Sequence, residues 1–180
     1  RDYYASRGLG DVYKRQDKYN KPRYANLRGV GTDFVGDASG SDKRFSFSIP
    51  APDSDTIHLF ESAIDLLSYA TLVKMNGGNW NREHLVSLAG VYKPKEELQE
   101  SSMPLALKRY LSEHPGIRKI TLRLDNDAAG GRAAKALISM LSGRYEVSVQ
   151  PPLCGKDYND FLCMRLGLPT THRKGKTAER

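Results

Sequence analysis

Cysteine is almost missing from this chain: Cys154 and Cys163 are the only two in 180 residues. No C-x-x-C pair and no Cys/His cluster accompanies them, which argues against a zinc site built from this chain and against a disulfide framework. Two free thiols in a reducing compartment are expected. Long apolar runs are missing too; none approaches the roughly 20 residues that a bilayer-spanning helix needs. The polar N-terminus lacks the apolar h-region of a signal peptide. A cytoplasmic protein with no membrane partner is the expectation. Internal repeats and low-complexity segments are absent. Even the basic excess is smaller than it looks. Of the net +7, residues 1–16 hold +2 and residues 171–180 hold +3, leaving +2 for everything between.

What is present suffices for a core. Hydrophobic residues make up 39%, which excludes a wholly disordered chain. The length suits one domain plus an extension. Four stretches stand out. Residues 1–16 show no periodicity, and Gly10-Asp11-Val12-Tyr13-Lys14-Arg15-Gln16 is similar to a stretch that recurs at the ends of translated metagenomic fragments. This stretch is expected to be a non-native or disordered leader, and the lack of an initiating Met agrees with a fragment. Residues 17–55 are polar and rich in Gly, Asp and Ser. They read as a small irregular β-containing lead-in, with a period-2 strand signal at Arg44–Ile49 and a linker at Ala51–Asp55. Residues 56–168 form the main domain, and residues 169–180 a basic disordered tail.

Within the main domain, strand-like and helix-like patterns alternate. Strands are predicted over Thr56–Phe60, Leu85–Ala89, Lys119–Leu124 and Tyr145–Val149. Helices are predicted over Ser62–Met75, Glu96–Glu113 (at least its second half), Gly131–Ser142 and residues 158–166. The Ser62–Met75 helix carries a stripe at Ile64, Leu67, Ser68, Ala70, Thr71 and Leu72, and Asn76-Gly77-Gly78 ends it. This β-α-β-α order predicts an α/β fold of the Rossmann-like kind, a four-stranded parallel sheet with helices on both faces. Ligands of such sheets bind at the carboxyl ends of the strands.

Carboxylates sit at those ends. Asp125 and Asp127 follow the apolar run Ile120–Leu124. Side chains two apart on extended backbone share a side, and two acids held that close repel unless a cation lies between them. Magnesium takes hard oxygen ligands of this type. The small residues Ala128–Gly131 then lead into a helix N-terminus, where anions are favoured. Asp-Asn-Asp is also common turn chemistry. Glu61 follows the first strand and suits a general acid/base or a third metal ligand, or simply an acid at a helix start. Asp65 lies one helical turn further on. A third cluster, Gly155-Lys156-Asp157-Tyr158-Asn159-Asp160, follows the fourth strand. There Lys156 offers a point charge for phosphate, while Asp157 either lends a carboxylate or caps the last helix. In the tail, Arg173, Lys174 and Lys176 suit contact with a nucleic-acid backbone.

These residues resemble a family. Glu61 with Asp65 resembles the first motif of TOPRIM domains, commonly Glu-Gly-x-x-Asp, and Asp125-Asn126-Asp127-Ala128-Ala129-Gly130 resembles their Asp-x-Asp-x-x-Gly motif. The segments Phe60–Tyr69 and Gly155–Asp160, with Leu27-Arg28-Gly29 and Gly40–Phe45 ahead of them, are similar to TOPRIM proteins carried on bacterial conjugative and other mobile elements. The resemblance covers roughly residues 20–165. It implies a TOPRIM fold and Mg²⁺-dependent phosphoryl transfer on nucleic acid, primase-, topoisomerase- or nickase-like, with DNA favoured over RNA and Mn²⁺ able to substitute. The residue matching Glu61 is then the general acid/base, Asp125 and Asp127 hold magnesium, and Lys156 helps hold the backbone. Asp65, Asp157 and Asp160 are accessory candidates. Relatives on mobile elements often carry a zinc-binding module upstream and work with other domains or proteins of a replication or transfer machinery. Ser62 departs from the usual glycine, and a side chain there restricts the approach of a phosphate. Two other readings stay open: a non-catalytic binding module on the same fold, and a phosphatase with an aspartate nucleophile. Ala129, where Thr or Val is usual, argues against the second.

Overall fold

The computed structural model of the protein describes residues 9–17, 19–29, 34–90, 92, 94 and 102–170. Two sheets organise them. The first is antiparallel, in the order β1-β2-β3, from Leu9–Gln16 (β1), Pro22–Gly29 (β2) and Val35–Asp37 (β3). Leu9–Gln16 is thus drawn into the fold as a strand, although the sequence reading set residues 1–16 apart as a leader. The second sheet has five strands: Ser48–Ile49 (β4), Thr56–Phe60 (β5), His84–Ser87 (β6), Lys119–Leu122 (β7) and Glu146–Val149 (β8). Their order is β4-β6-β5-β7-β8.

The four strands expected from the sequence all run parallel. The lead-in adds a fifth, because β4 pairs antiparallel with the edge of β6 through Ser48↔Val86 and Ile49↔Leu85. The alternation Arg44–Ile49 is therefore only partly a strand: Lys43–Phe45 form a short 3₁₀ turn, with Asp42 accepting from the Arg44 N–H at its start. Phe45 is held there between the guanidinium groups of Arg109 and Arg23, whose centres lie 3.8 and 4.6 Å from its ring. Those contacts are non-local, so a period-2 pattern could not report them.

Helices Ala63–Met75 (α1) and Tyr158–Arg165 (α4) cover one face of the second sheet. Helices Leu105–Glu113 (α2) and Ala128–Leu141 (α3) cover the other. The alternation of β5 divides its side chains between them: Ile57 and Leu59 pack with Leu107 and Leu137, while Phe60 packs with Leu66 and Tyr158. Strands covered on both faces lose the alternation of buried and exposed residues, and β5 and β6 are accordingly buried along almost their whole length, His58, His84 and Ser87 included. Because α4 packs beside it, α1 buries Ala63, Leu66, Ala70 and Leu72 while Thr71 is exposed, a face rotated from the predicted stripe. Helix α3 starts three residues before the predicted Gly131. The first half of the predicted 96–113 helix lies largely outside the described residues. No helix among the described residues is long and apolar enough to cross a membrane.

Candidate functional site

From β5 the chain crosses to β6 on one side, then returns past β5 to β7 on the other. Between β5 and β7 the following helices leave on opposite faces, α1 on one and α3 on the other, which opens a crevice at the strand ends. Glu61 follows β5 directly and Asp125 lies beyond β7, so the two acids meet across that switch point. The Asp125 N–H donates to Glu61 Oε1 at 3.3 Å.

Three helices begin at this crevice, and each is capped by a residue of the candidate site. Ser62 caps α1: its Oγ accepts from the Asp65 N–H and donates to Asp65 Oδ2 at 2.5 Å. Asp127 caps α3, accepting from the Gly130 N–H at 2.8 Å. Asp157 caps α4, accepting from the Asp160 N–H at 2.7 Å. The Asp-x-Asp segment and the Gly155–Asp160 loop are tied together, since the Asn126 N–H donates to the Lys156 carbonyl at 2.7 Å. Gly130 is obligatory here: a Cβ on it would come within 2.1 Å of the Asp125 carbonyl oxygen. Ser62, in the place of the usual glycine, thus serves as the α1 cap and orients Asp65.

The electrostatics show acids crowded together. Glu61 is only 5% exposed, and burial, then the charge of Asp125, pushes its carboxyl up to about 7. Burial likewise raises Asp65 to about 6, against the Ser62 hydrogen bond that favours its ionised form. Asp125 is also raised, by burial first, while the Gly130 N–H holds Asp127 below the usual range. Lys156 provides the balancing charge. Its ammonium lies 3.2 Å from Asp125 Oδ2 and 3.5 Å from Asp127 Oδ2.

The structure therefore brings Glu61, Asp65, Asp125, Asp127 and Lys156 to one place. Asp157 is at its rim as a cap. Asp160 is turned inward: it is 2% exposed, and its Oδ2 accepts from the Lys156 N–H at 3.4 Å, so it shapes the loop under Lys156. Arg173, Lys174 and Lys176 lie outside the described residues. Asp125 and Asp127 supply hard oxygens that fit a divalent cation. Among the described residues no three His, Cys, Asp or Glu side chains converge as a ready ligand set, and the Lys156 ammonium holds the position between the two aspartates.

Sequence reasoning missed the bracing behind the site. Arg123, inside the apolar run that ends β7, donates from Nε to His58 Nδ1 (3.0 Å) and from its terminal nitrogens to Tyr158 Oη (2.8 Å) and Gln150 Oε1 (2.9 Å). Its guanidinium lies 4.2 Å from the centre of the Tyr69 ring. His58 in turn contacts Glu83 through Nε2. One signal was available: an arginine set between Leu122 and Leu124 needs partners if it is to be enclosed.

Fold and site together define an open-sheet α/β domain with an acidic centre at its topological switch point. The chain belongs to the Toprim-like family, whose model matches residues 58–162. It is also similar to a curated "65 kDa protein" of Zymomonas mobilis, 28% identical over 171 residues. That match takes in 87% of this chain and 27% of the relative, so the chain spans about a quarter of that protein's length. Among solved structures it is similar to the primase fragment of the bacteriophage T7 primase-helicase protein, with a TM-score of 0.53 at 15% identity. The similarity covers 87% of this chain and 58% of that one, and it extends the shared fold beyond the family match.

Proposed function

We propose that this domain carries out metal-dependent phosphoryl transfer on nucleic acid, DNA in preference to RNA, as the Toprim-like part of a primase-, topoisomerase- or nickase-type machinery of a mobile element. The observation that carries this reading is Glu61: a buried carboxyl raised to about 7, one hydrogen bond from the segment that bears Asp125 and Asp127. A carboxyl poised near neutrality is suited to accept and return a proton on a phosphate-linked oxygen. Asp125 and Asp127 would hold Mg²⁺, with Mn²⁺ substituting. The bound cation would neutralise charge developing on the phosphate. Lys156 holds a phosphate oxygen, and Asp65, fixed by Ser62 and by the Asn159 N–H at 3.4 Å, maintains the electrostatic setting of Glu61. Contact of Arg173, Lys174 and Lys176 with nucleic acid belongs to the same proposal.

One observation favours a second reading, a non-catalytic binding module: the Lys156 ammonium already bridges both aspartates. Calorimetric titration with Mn²⁺ separates the two. The catalytic reading expects binding that weakens in both Glu61→Gln and Asp125→Asn/Asp127→Asn, followed by Glu61-dependent plasmid nicking or primer synthesis. Absence of Mn²⁺ binding by the unmodified chain would leave the binding-module reading in its place.

A further inference from the structure

A cleft of about 200 Å³ lies between the small antiparallel sheet and the carboxyl ends of β5 and β6. Arg28, Lys43, Asn26 and Asp37 line one side, and Ser62 and Ala89 the other. It adjoins the acidic centre through the backbone, because Ser62 follows Glu61 and the Gly90 N–H donates to the Glu61 carbonyl at 2.9 Å.

Three features of the cleft select for an anion. Arg28 Nε is buried and has no hydrogen-bond partner among the described residues. A buried charged donor left unsatisfied is costly, and a guanidinium fork matches phosphate oxygens. Lys43 brings a second cation, anchored by its bond to the Ala89 carbonyl at 2.9 Å and only loosely paired with Asp37 at 3.7 Å. That Asp37 carboxylate is engaged from elsewhere, by Tyr24 Oη at 2.8 Å and Asn26 Nδ2 at 3.0 Å. Finally, α1 starts at Ala63 on the cleft wall, and the N–H groups of a first helical turn carry partial positive charge. The backbone opposite is strained: Ala89 has φ of 61°, unusual for a residue with a Cβ, and strain of this kind gathers at functional sites.

We propose that this cleft is a phosphate-binding site, in which the Arg28 guanidinium grips a phosphate with Lys43 and the first turn of α1, and so delivers the substrate to Glu61. The inference rests on the reading of Glu61 as the phosphoryl-transfer residue, and it assigns the lead-in region a part in substrate binding. The phosphate belongs either to the polyphosphate of a free nucleotide or to the backbone of a nucleic-acid strand.

The test is fluorescence anisotropy on the full chain in EDTA, with a fluorescent nucleoside triphosphate and, separately, a short labelled single-stranded DNA. Arg28→Gln is expected to weaken one or both probes about tenfold or more, with Arg28→Lys in between because it keeps the charge and loses the fork. Loss confined to the triphosphate identifies a free nucleotide, and loss confined to the DNA identifies the backbone. Unmodified chain that binds neither probe, or Arg28→Gln that binds both as tightly as the unmodified chain, overturns the proposal. Circular dichroism checks folding, and if Arg28→Gln does not fold, Arg28→Lys and Lys43→Gln carry the same comparison. Glu61→Gln separates the two readings: it is expected to abolish turnover while both probes still bind. Turnover that survives Glu61→Gln removes the catalytic reading and leaves the phosphate site to be decided by Arg28.

Discussion

Lys156 sits where a divalent cation would be expected, within 3.2 and 3.5 Å of the two aspartates. A metal bound as proposed would therefore compete with the Lys156 ammonium for the same oxygens. Replacing Lys156 with Ala is expected to tighten Mn²⁺ binding several-fold in calorimetry while weakening nucleic-acid binding, since a like charge is removed from the metal position and a cation from the phosphate path. A lysine that only braced the loop would leave metal affinity unchanged or lower. Glu61, Asp125 and Asp127 were visible in the sequence because each combines a chemical type with a local position, an acid at or just beyond the end of an apolar strand, and Lys156 was visible as the cation of the Gly155–Asp160 loop after the fourth strand. Arg123 was not, and Arg28 and Lys43 were legible only as members of the Leu27–Gly29 and Gly40–Phe45 segments that carry the family resemblance, with no role attached to them. What sets them apart is partners tens of residues away or, for Arg28 Nε, the lack of one among the described residues.

At the scale of elements, the Asp-x-Asp turn and α3 form one unit because Gly130 lets the helix pass over the Asp125 carbonyl. Gly130→Ala would place a Cβ 2.1 Å from that oxygen. The turn must move or the helix must start later. A loss of stability at the upper end of the roughly 1–3 kcal/mol typical of overpacking is expected, read as a lower midpoint in urea, together with weaker Mn²⁺ binding. Gly131→Ala, where a Cβ meets nothing within 4 Å, is the control and should be neutral or slightly stabilising. Strand and helix order in residues 56–168 was legible from periodicity, since these elements bury apolar faces in regular registers. The start of α3 was misplaced because Asp127 was read as a metal ligand or a turn residue and not as a helix cap, and a residue serving at once as cap and site member hides the boundary. The lead-in was the least legible part. Its short strand β4 and its 3₁₀ turn depend on β6 and on the arginines around Phe45.

For the whole molecule, the crowded acids tie stability to pH. In the folded chain the Glu61 carboxyl is raised from 4.5 to about 7, and Asp65 from 3.8 to about 6. The folded state thus binds protons more tightly than the unfolded state. The stabilisation is complete below the unfolded values and is lost as pH rises through the folded ones. Metal-free protein is expected to lose stability, on the order of 3 kcal/mol at most from Glu61, between about pH 4.5 and 7. Denaturant melts across that range should show the fall, and Glu61→Gln should flatten it.

The second sheet is likewise a property of the whole chain. Ser46 Oγ donates to the Ser87 carbonyl at 2.5 Å, and the Ser87 N–H donates to the Phe47 carbonyl at 2.9 Å, so the lead-in seals the β6 edge. A chain begun at residue 56 would bare that edge, and light scattering should show it associating where the longer chain does not. The same seam bears on how such a gene can be rearranged. A recombination junction within Ala51–Asp55 falls in what reads as a linker, yet it would part β4 from the strand it covers and the cleft cations from Ser62. The structural unit therefore reaches upstream of the family match at residue 58, and a fusion that took only the matched part would receive the acids without the edge or the Arg28 side of the cleft.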